Sequence, residues 1–213
     1  MDDTWLLVGV GVTAFFIGAA AYQFTQRRSS DAKPAGRSDA PAKPGLRRYA
    51  IGELRVLSGT LLLADLRRMT EPLTIENLPT GTWQVLADVL VGSQGGQRVG
   101  CLTLKLGPAD PATRALLGEV AVDSGALALL DRQAYQQAWR PAGPDGTAEA
   151  LAATLKMKPS CQMVLDPAGG GNVVAVEAGH GAGLYPVFGS SANGKLATLE
   201  IPLIDPEAGP AIS

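Results

Sequence analysis

The stretch Asn172–Leu203, NVVAVEAGHGAGLYPVFGSSANGKLATLEIPL, constrains the chain more than any other. Val174, Val176 and Ala178 alternate with Val173, Ala175 and Glu177, the period-two pattern of a strand with at least one buried face. Gly179, Gly181 and Gly183 follow at every second position, so the chain bends there. Tyr185, Val187 and Phe188 resume an apolar strand, which Ser190–Gly194 turns back; Asn-Gly favours a hairpin because both residues tolerate left-handed dihedrals. Ala197, Leu199, Ile201 and Leu203 then share one face. Three strands and two glycine-rich turns call for a mainly β, antiparallel sandwich or barrel-like domain.

Upstream, Trp83, Val85, Ala87, Val89 and Val91 alternate with Gln84, Leu86, Asp88 and Leu90. Residues 92–96, GSQGG, then turn the chain into a strand carrying Leu102, Leu104 and Leu106, which predicts a long hairpin. Apolar residues on either side of Ser58-Gly59-Thr60 predict a first hairpin ending at Asp65. A helical turn is expected near Thr113–Leu117, then strands around Val120 and Leu127–Leu130. Asp131 is placed to cap a short helix bearing Tyr135, Ala138 and Trp139 on one side. A second helix is expected over Thr147–Met157, with Leu151 and Leu155 one turn apart, and a strand over Cys161–Leu165. The expectation is nine or ten strands and two short helices in one domain spanning 49–205, with a tail over 206–213. No internal repeat is read from the sequence.

Ahead of the domain, Thr4 to Gln26 contains no charged side chain. Some 20 such residues in a helix span roughly 30 Å of hydrocarbon, so residues 1–26 are expected to form a single transmembrane helix, with Trp5, Tyr22 and Phe24 near its ends. Cleavage as a signal peptide at Ala19-Ala20-Ala21 is the competing reading, disfavoured because Asp2 and Asp3 stand where a basic segment belongs. Ala14 and Gly18 form a small-residue pair that leaves self-association open. Residues 27–48 carry seven bases and two acids with no apolar period, which reads as a flexible basic linker. The bases follow the helix, so the expected location is the inner membrane with the domain facing the cytoplasm; a periplasm-facing domain is the alternative. Membrane lipid is one expected partner, an unidentified protein the other.

Of 18 bases and 20 acids in the whole chain, the linker takes seven and two and residues 1–26 take none and two, leaving 11 bases and 16 acids for the remainder. An acidic domain with only 5% aromatic residues has neither the field nor the stacking surface for nucleic acid. Cys101 and Cys161 lack metal-ligand spacing and are expected as buried free thiols, a single bridge requiring an oxidising compartment.

Several blocks in order, LSGTLLLADLRRM, LPTGTWQVLADVL with QRVGCLTLKL, GEVAVDSGALALLD and GHGAGLYPVFGSSANGKLATLEIPL, give residues 48–205 a pattern that resembles the bacterial "domain of unknown function 4241" group. That resemblance implies a mostly β domain without an established activity. Leu66 stands in place of the group's proline, Ala182 where its motif has an aspartate, and His180 where an aromatic residue is usual.

For chemistry, the candidate constellation is Ser124 as nucleophile and His180, the only histidine, as base, with Asp65, Asp123 or Asp131 as orienter. Set against it, Asp-Ser-Gly between strands is turn chemistry in its own right. A metal site from Asp65, Asp123, Asp131 and Glu177 has no supporting spacing. Neither Gly169–Gly171 nor Gly179–Gly183 leads into the helix and Lys-Ser/Thr of a phosphate-binding loop. Trp83, Trp139 and Tyr185 are expected in the core. The reading is therefore a membrane-anchored binding module without a cofactor. The alternatives are a hydrolase using Ser124 and His180, and an envelope or immunity-type component, which a neighbouring gene for a secreted effector would favour.

Overall fold

The computed structural model describes residues 45–91, 97–139, 146–166 and 168–204. The expected transmembrane helix, nearly all of the linker and the tail lie outside these residues. The described chain runs β1 (Gly45–Val56), β2 (Leu61–Asp65), β3 (Arg68–Ile75), β4 (Gly81–Val91), β5 (Gln97–Lys105), a 3-10 turn (Pro111–Thr113), β6 (Ala115–Val122), β7 (Ala126–Asp131), α1 (Arg132–Ala138), α2 (Thr147–Leu155), β8 (Ser160–Asp166), β9 (Gly171–Glu177), β10 (Gly183–Ala192) and β11 (Lys195–Pro202). Two antiparallel sheets form, ordered β1-β4-β5-β11-β10-β6 and β3-β2-β7-β9-β8.

The sheets pack face to face as a sandwich. Trp83, Val85, Leu102, Leu104, Val187, Leu199 and Ile201 of the larger sheet meet Leu61, Leu63, Leu127, Leu129, Val174 and Val176 of the smaller, and all are fully buried. The smaller sheet is covered on its second face as well. There Leu62, Ala64, Ala128, Leu130, Val173 and Ala175 pack under Leu151 and Leu155 of α2 and under Trp139. This explains why β2, β7 and β9 read as nearly continuous apolar runs, whereas the strands of the larger sheet alternate.

The β4–β5 and β10–β11 strand pairs form as expected, the second closed through Asn193 (φ 53°) and Gly194 (φ 74°). Asp131 caps α1 by accepting the Gln133 N–H. Other expectations need correction. The segments on either side of Ser58-Gly59-Thr60 do not pair with each other: β1 belongs to the larger sheet and β2 to the smaller, so the turn is an arch between layers. Leu61–Leu63 are buried on both faces, which only the central layer can supply. β1 begins at Gly45, inside the span read as linker, and β3, which carries Pro72, has no counterpart among the expected strands. Thr113–Leu117 holds only the end of a 3-10 turn and then enters β6.

The larger correction is that the chain repeats itself. Residues 48–67 and 114–133 align without a gap, and nine of the 20 positions are identical: Arg48/Arg114, Gly52/Gly118, Glu53/Glu119, Val56/Val122, Ser58/Ser124, Gly59/Gly125, Leu61/Leu127, Leu63/Leu129 and Asp65/Asp131. The structure carries the repeat further. β1, β2, β4 and β5 correspond to β6, β7, β10 and β11, and the pairing is reciprocal. Leu54 faces Trp83 as Val120 faces Tyr185, and each edge strand has its register shift at the same place, just before Gly52 and Gly118. A pseudo-twofold axis passes between Leu63 and Leu129 in one sheet and between Thr103 and Glu200 in the other. The second half departs by inserting α1, α2 and β8, which form the cover over the smaller sheet.

Candidate functional site

The Asp-Ser-Gly turn joins β6 to β7, and the end of β2 anchors it. Asp65 Oδ2 accepts the Asp123 and Ser124 N–H groups, and Oδ1 accepts the Arg67 N–H at 2.8 Å. Burial pushes the Asp65 carboxyl up, but these amides together with the Ser124 hydroxyl outweigh it and hold its pKa below the ordinary carboxyl value. Gly125 (φ 76°) supplies the left-handed residue that the turn requires.

The repeat builds the same device a second time. Asp131 Oδ2 accepts the Leu57 N–H, Ser58 N–H and Ser58 hydroxyl at 2.9, 2.8 and 2.9 Å, and Oδ1 accepts the Gln133 N–H at 2.8 Å. Gly59 (φ 73°) matches Gly125. The Leu66 N–H bonds the Ala126 carbonyl and the Arg132 N–H bonds the Thr60 carbonyl, again as a reciprocal pair. Each aspartate therefore ends one central strand and clasps the arch that begins the other. Asp131, fully buried, has no histidine in its copy of the device.

His180 belongs to a segment found in the second half only. The Leu78 N–H bonds the Gly59 carbonyl as the Ala178 N–H bonds the Gly125 carbonyl. The Trp83 indole then donates to the Pro79 carbonyl, and the Tyr185 hydroxyl donates to the Gly181 carbonyl. Those two correspondences leave Gly179 and His180 as extra residues. Gly181 backbone lies beside Gly125, so the His180 and Ser124 turns are neighbours: a Cβ on Gly125 would be 3.6 Å from Gly181 Cα. No hydrogen bond joins Ser124 to His180, and both side chains face solvent. Asp123 forms an exposed ion pair with Arg68 at 2.7 Å. Asp65, Asp123, Asp131 and Glu177 do not gather: among the described residues there is no group of three or more His, Cys, Asp or Glu side chains able to hold a metal ion.

Trp83, Trp139 and Tyr185 are buried in the core, as expected. Both cysteines are free thiols, Cys161 buried and Cys101 half-exposed. Burial pushes the thiol pKa of each up, with Asp88 and Glu200 adding to the effect at Cys101. On the outer face of the larger sheet the repeated arginines each reach an acid: Arg48 forms a two-pronged pair with Asp88, and Arg114 pairs with Glu200 while lying over the Phe188 ring.

A different feature closes the edge of β1. Asn172 Nδ2 donates to the Glu53 carbonyl and Asn172 Oδ1 accepts the Arg55 N–H at 2.9 Å, while Gln162 Oε1 accepts the Glu53 N–H at 3.2 Å. Two side-chain amides from the smaller sheet thus satisfy the backbone of an edge strand that would otherwise be a template for pairing.

Comparison with known protein families, curated proteins and solved structures finds no match. Among the described residues no helix is long and apolar enough to cross a membrane.

Proposed function

We propose that the chain is a membrane-anchored binding module, held in the bilayer by a helix within residues 1–26, with its sandwich on the cytoplasmic side engaging a protein partner. One observation carries the binding half of this reading. The serine and aspartate best placed for chemistry, Ser124 and Asp65, form one of two matching clasps, and the other, Ser58 with Asp131, does the same job where no base is present. Their geometry is accounted for by the fold. The anchoring half is supported by the uncharged run from Thr4 to Gln26 and the bases that follow it.

Membrane fractionation tests the anchor: the full-length chain should pellet with membranes and require detergent for release, and recovery in the aqueous fraction without detergent refutes it. Ser30→Cys should be protected from an impermeant thiol reagent in intact cells; labelling there reverses the topology. The neighbouring positions of the Ser124 and His180 turns favour a hydrolase as second reading. A serine-directed covalent probe decides between them, because labelling lost in Ser124→Ala would establish catalysis at that turn.

A further inference from the structure

The two halves close the end of the larger sheet differently, and the difference leaves one of them open. In the second half Gly179 lies against Ile204, two residues beyond β11, and against the Val99 carbonyl: a Cβ on Gly179 would collide with both. Val99 beneath them is fully buried. In the first half the position of Ile204 is taken by Gly107. The Leu106 N–H bonds the Ala197 carbonyl at 2.9 Å as the Leu203 N–H bonds the Gly100 carbonyl at 2.8 Å, and Ala197 and Gly100 are the matching unpaired residues at the register shifts of the two hairpins. A Cβ on Gly107 would meet nothing within 4 Å. The Gly179-His180 insertion has no counterpart there either.

This half carries a crevice of about 460 Å³, with Leu78 and Pro79 from one strand connection and Lys195 and Leu196 from the start of β11 among its lining. Leu196, the counterpart of Val99, is only partly buried, and Leu106, the counterpart of fully buried Leu203, is 38% exposed. Of the two charged residues at the crevice, Glu76 is paired with Arg132, whereas Lys195 makes no ion pair among the described residues.

We infer that this crevice binds a branched aliphatic side chain with a neighbouring carboxylate, presented by an extended segment of a partner protein. The second half indicates the chemistry of the occupant. Isoleucine fills the corresponding space, and Lys195, at the position that Arg98 holds in that half, attracts an acid beside the aliphatic group. The inference rests on the binding-module reading and gives that module a contact point.

The probe is a fluorescein-labelled peptide copying residues 200–206, EIPLIDP, titrated into the full-length chain in mild detergent and followed by anisotropy. Saturable binding is expected, and Gly107→Ile, which supplies the plug of the second half, should weaken it at least about tenfold. Lys195→Glu should weaken it as well, and a peptide with lysine in place of its aspartate should recover binding to that variant. The charge-reversal arm decides the matter if Gly107→Ile does not fold. Absence of saturable binding, or binding indifferent to both substitutions, overturns the inference. Fractionation bears on the anchor and the serine probe on catalysis, so failure of the broader reading is seen separately from failure of the crevice.

Discussion

Removing one carboxylate should show how much the repeated clasp contributes. Asp131 is fully buried and accepts four hydrogen bonds, three on Oδ2 and one on Oδ1. Hydrogen bonds to charged groups contribute about 1.5–3 kcal/mol each, so four of them would sum to roughly 6–12 kcal/mol at most. Ser58 and Gln133 are exposed, however, and their donors regain water once the carboxylate is gone. What is lost outright is the bond to half-buried Leu57, the cap of α1 and the tie between β1 and the central layer, which puts Asp131→Ala at about 4 kcal/mol. The three amides on Asp65 belong to exposed Arg67, Asp123 and Ser124, so Asp65→Ala should cost less, about 2 kcal/mol. The two aspartates sit at opposite ends of the paired five- and six-residue strands β2 and β7, separated by roughly 13 Å at ~3.3 Å per residue, so their effects should add to within about 0.5 kcal/mol. Urea unfolding followed by tryptophan fluorescence measures the two single variants and the double variant, since Trp83 and Trp139 report on the two cores. A cost below about 1 kcal/mol for Asp131→Ala, or a larger cost for Asp65→Ala, would refute the clasp argument.

Four further outcomes are expected. Because the folded Asp65 carboxyl lies below its ordinary 3.8, it stabilises the fold above that pH and the contribution is lost as pH falls through the folded pKa; Asp65→Asn should flatten the acid limb of a stability-against-pH curve. Asn172→Ala should cost about 2 kcal/mol and speed hydrogen exchange at the Arg55 amide while leaving the Trp83 region protected, as measured by exchange mass spectrometry. Gly179→Ala should destabilise by about 1–3 kcal/mol through crowding against Ile204, whereas Gly107→Ala should be close to neutral in the same thermal melt. In the folded protein a thiol reagent at pH 8 should modify half-exposed Cys101 before buried Cys161, whose thiol donates to the Leu151 carbonyl; equal rates would contradict the burial.

The mainly antiparallel fold was legible because most strands of the larger sheet have one wet face, so Trp83–Val91 and Ala197–Leu203 alternate cleanly. The layer beneath was harder to read. Leu61–Asp65 and Leu127–Asp131 are covered on both sides, and a run without alternation gives no sign of which sheet it joins. For that reason Ser58-Gly59-Thr60 reads as a hairpin turn when it is an arch. The repeat is faint in the sequence for another reason: identity is concentrated in one block, and an insertion carrying both helices shifts the rest out of any fixed period. Of the candidate site, the Asp131 cap was readable from local chemistry. The grip of Asp65 on Ser124 was not, since it spans 59 positions and depends on how the layers stack.

Duplication separates architecture from specialisation in a single chain. A feature present in both halves, such as the Ser-Gly arch with its aspartate or the indole and phenol bonded to the preceding turn, is what the shared framework needs to fold. Whatever distinguishes this molecule from a symmetric dimer of its half must reside where the halves differ. Those places are few: the helical cover, the extra Gly179-His180 turn, the amide latch on β1 and the uncovered crevice at Leu196. The cover buries a sheet face and the latch blunts an edge, so both answer to stability. The extra turn, together with Ile204, fills in one half the space that the other leaves empty. At the crevice Lys195 makes no ion pair among the described residues and Leu196 is only partly buried, so a partner finds there both a charge and an apolar surface that the Ser124 turn does not offer together.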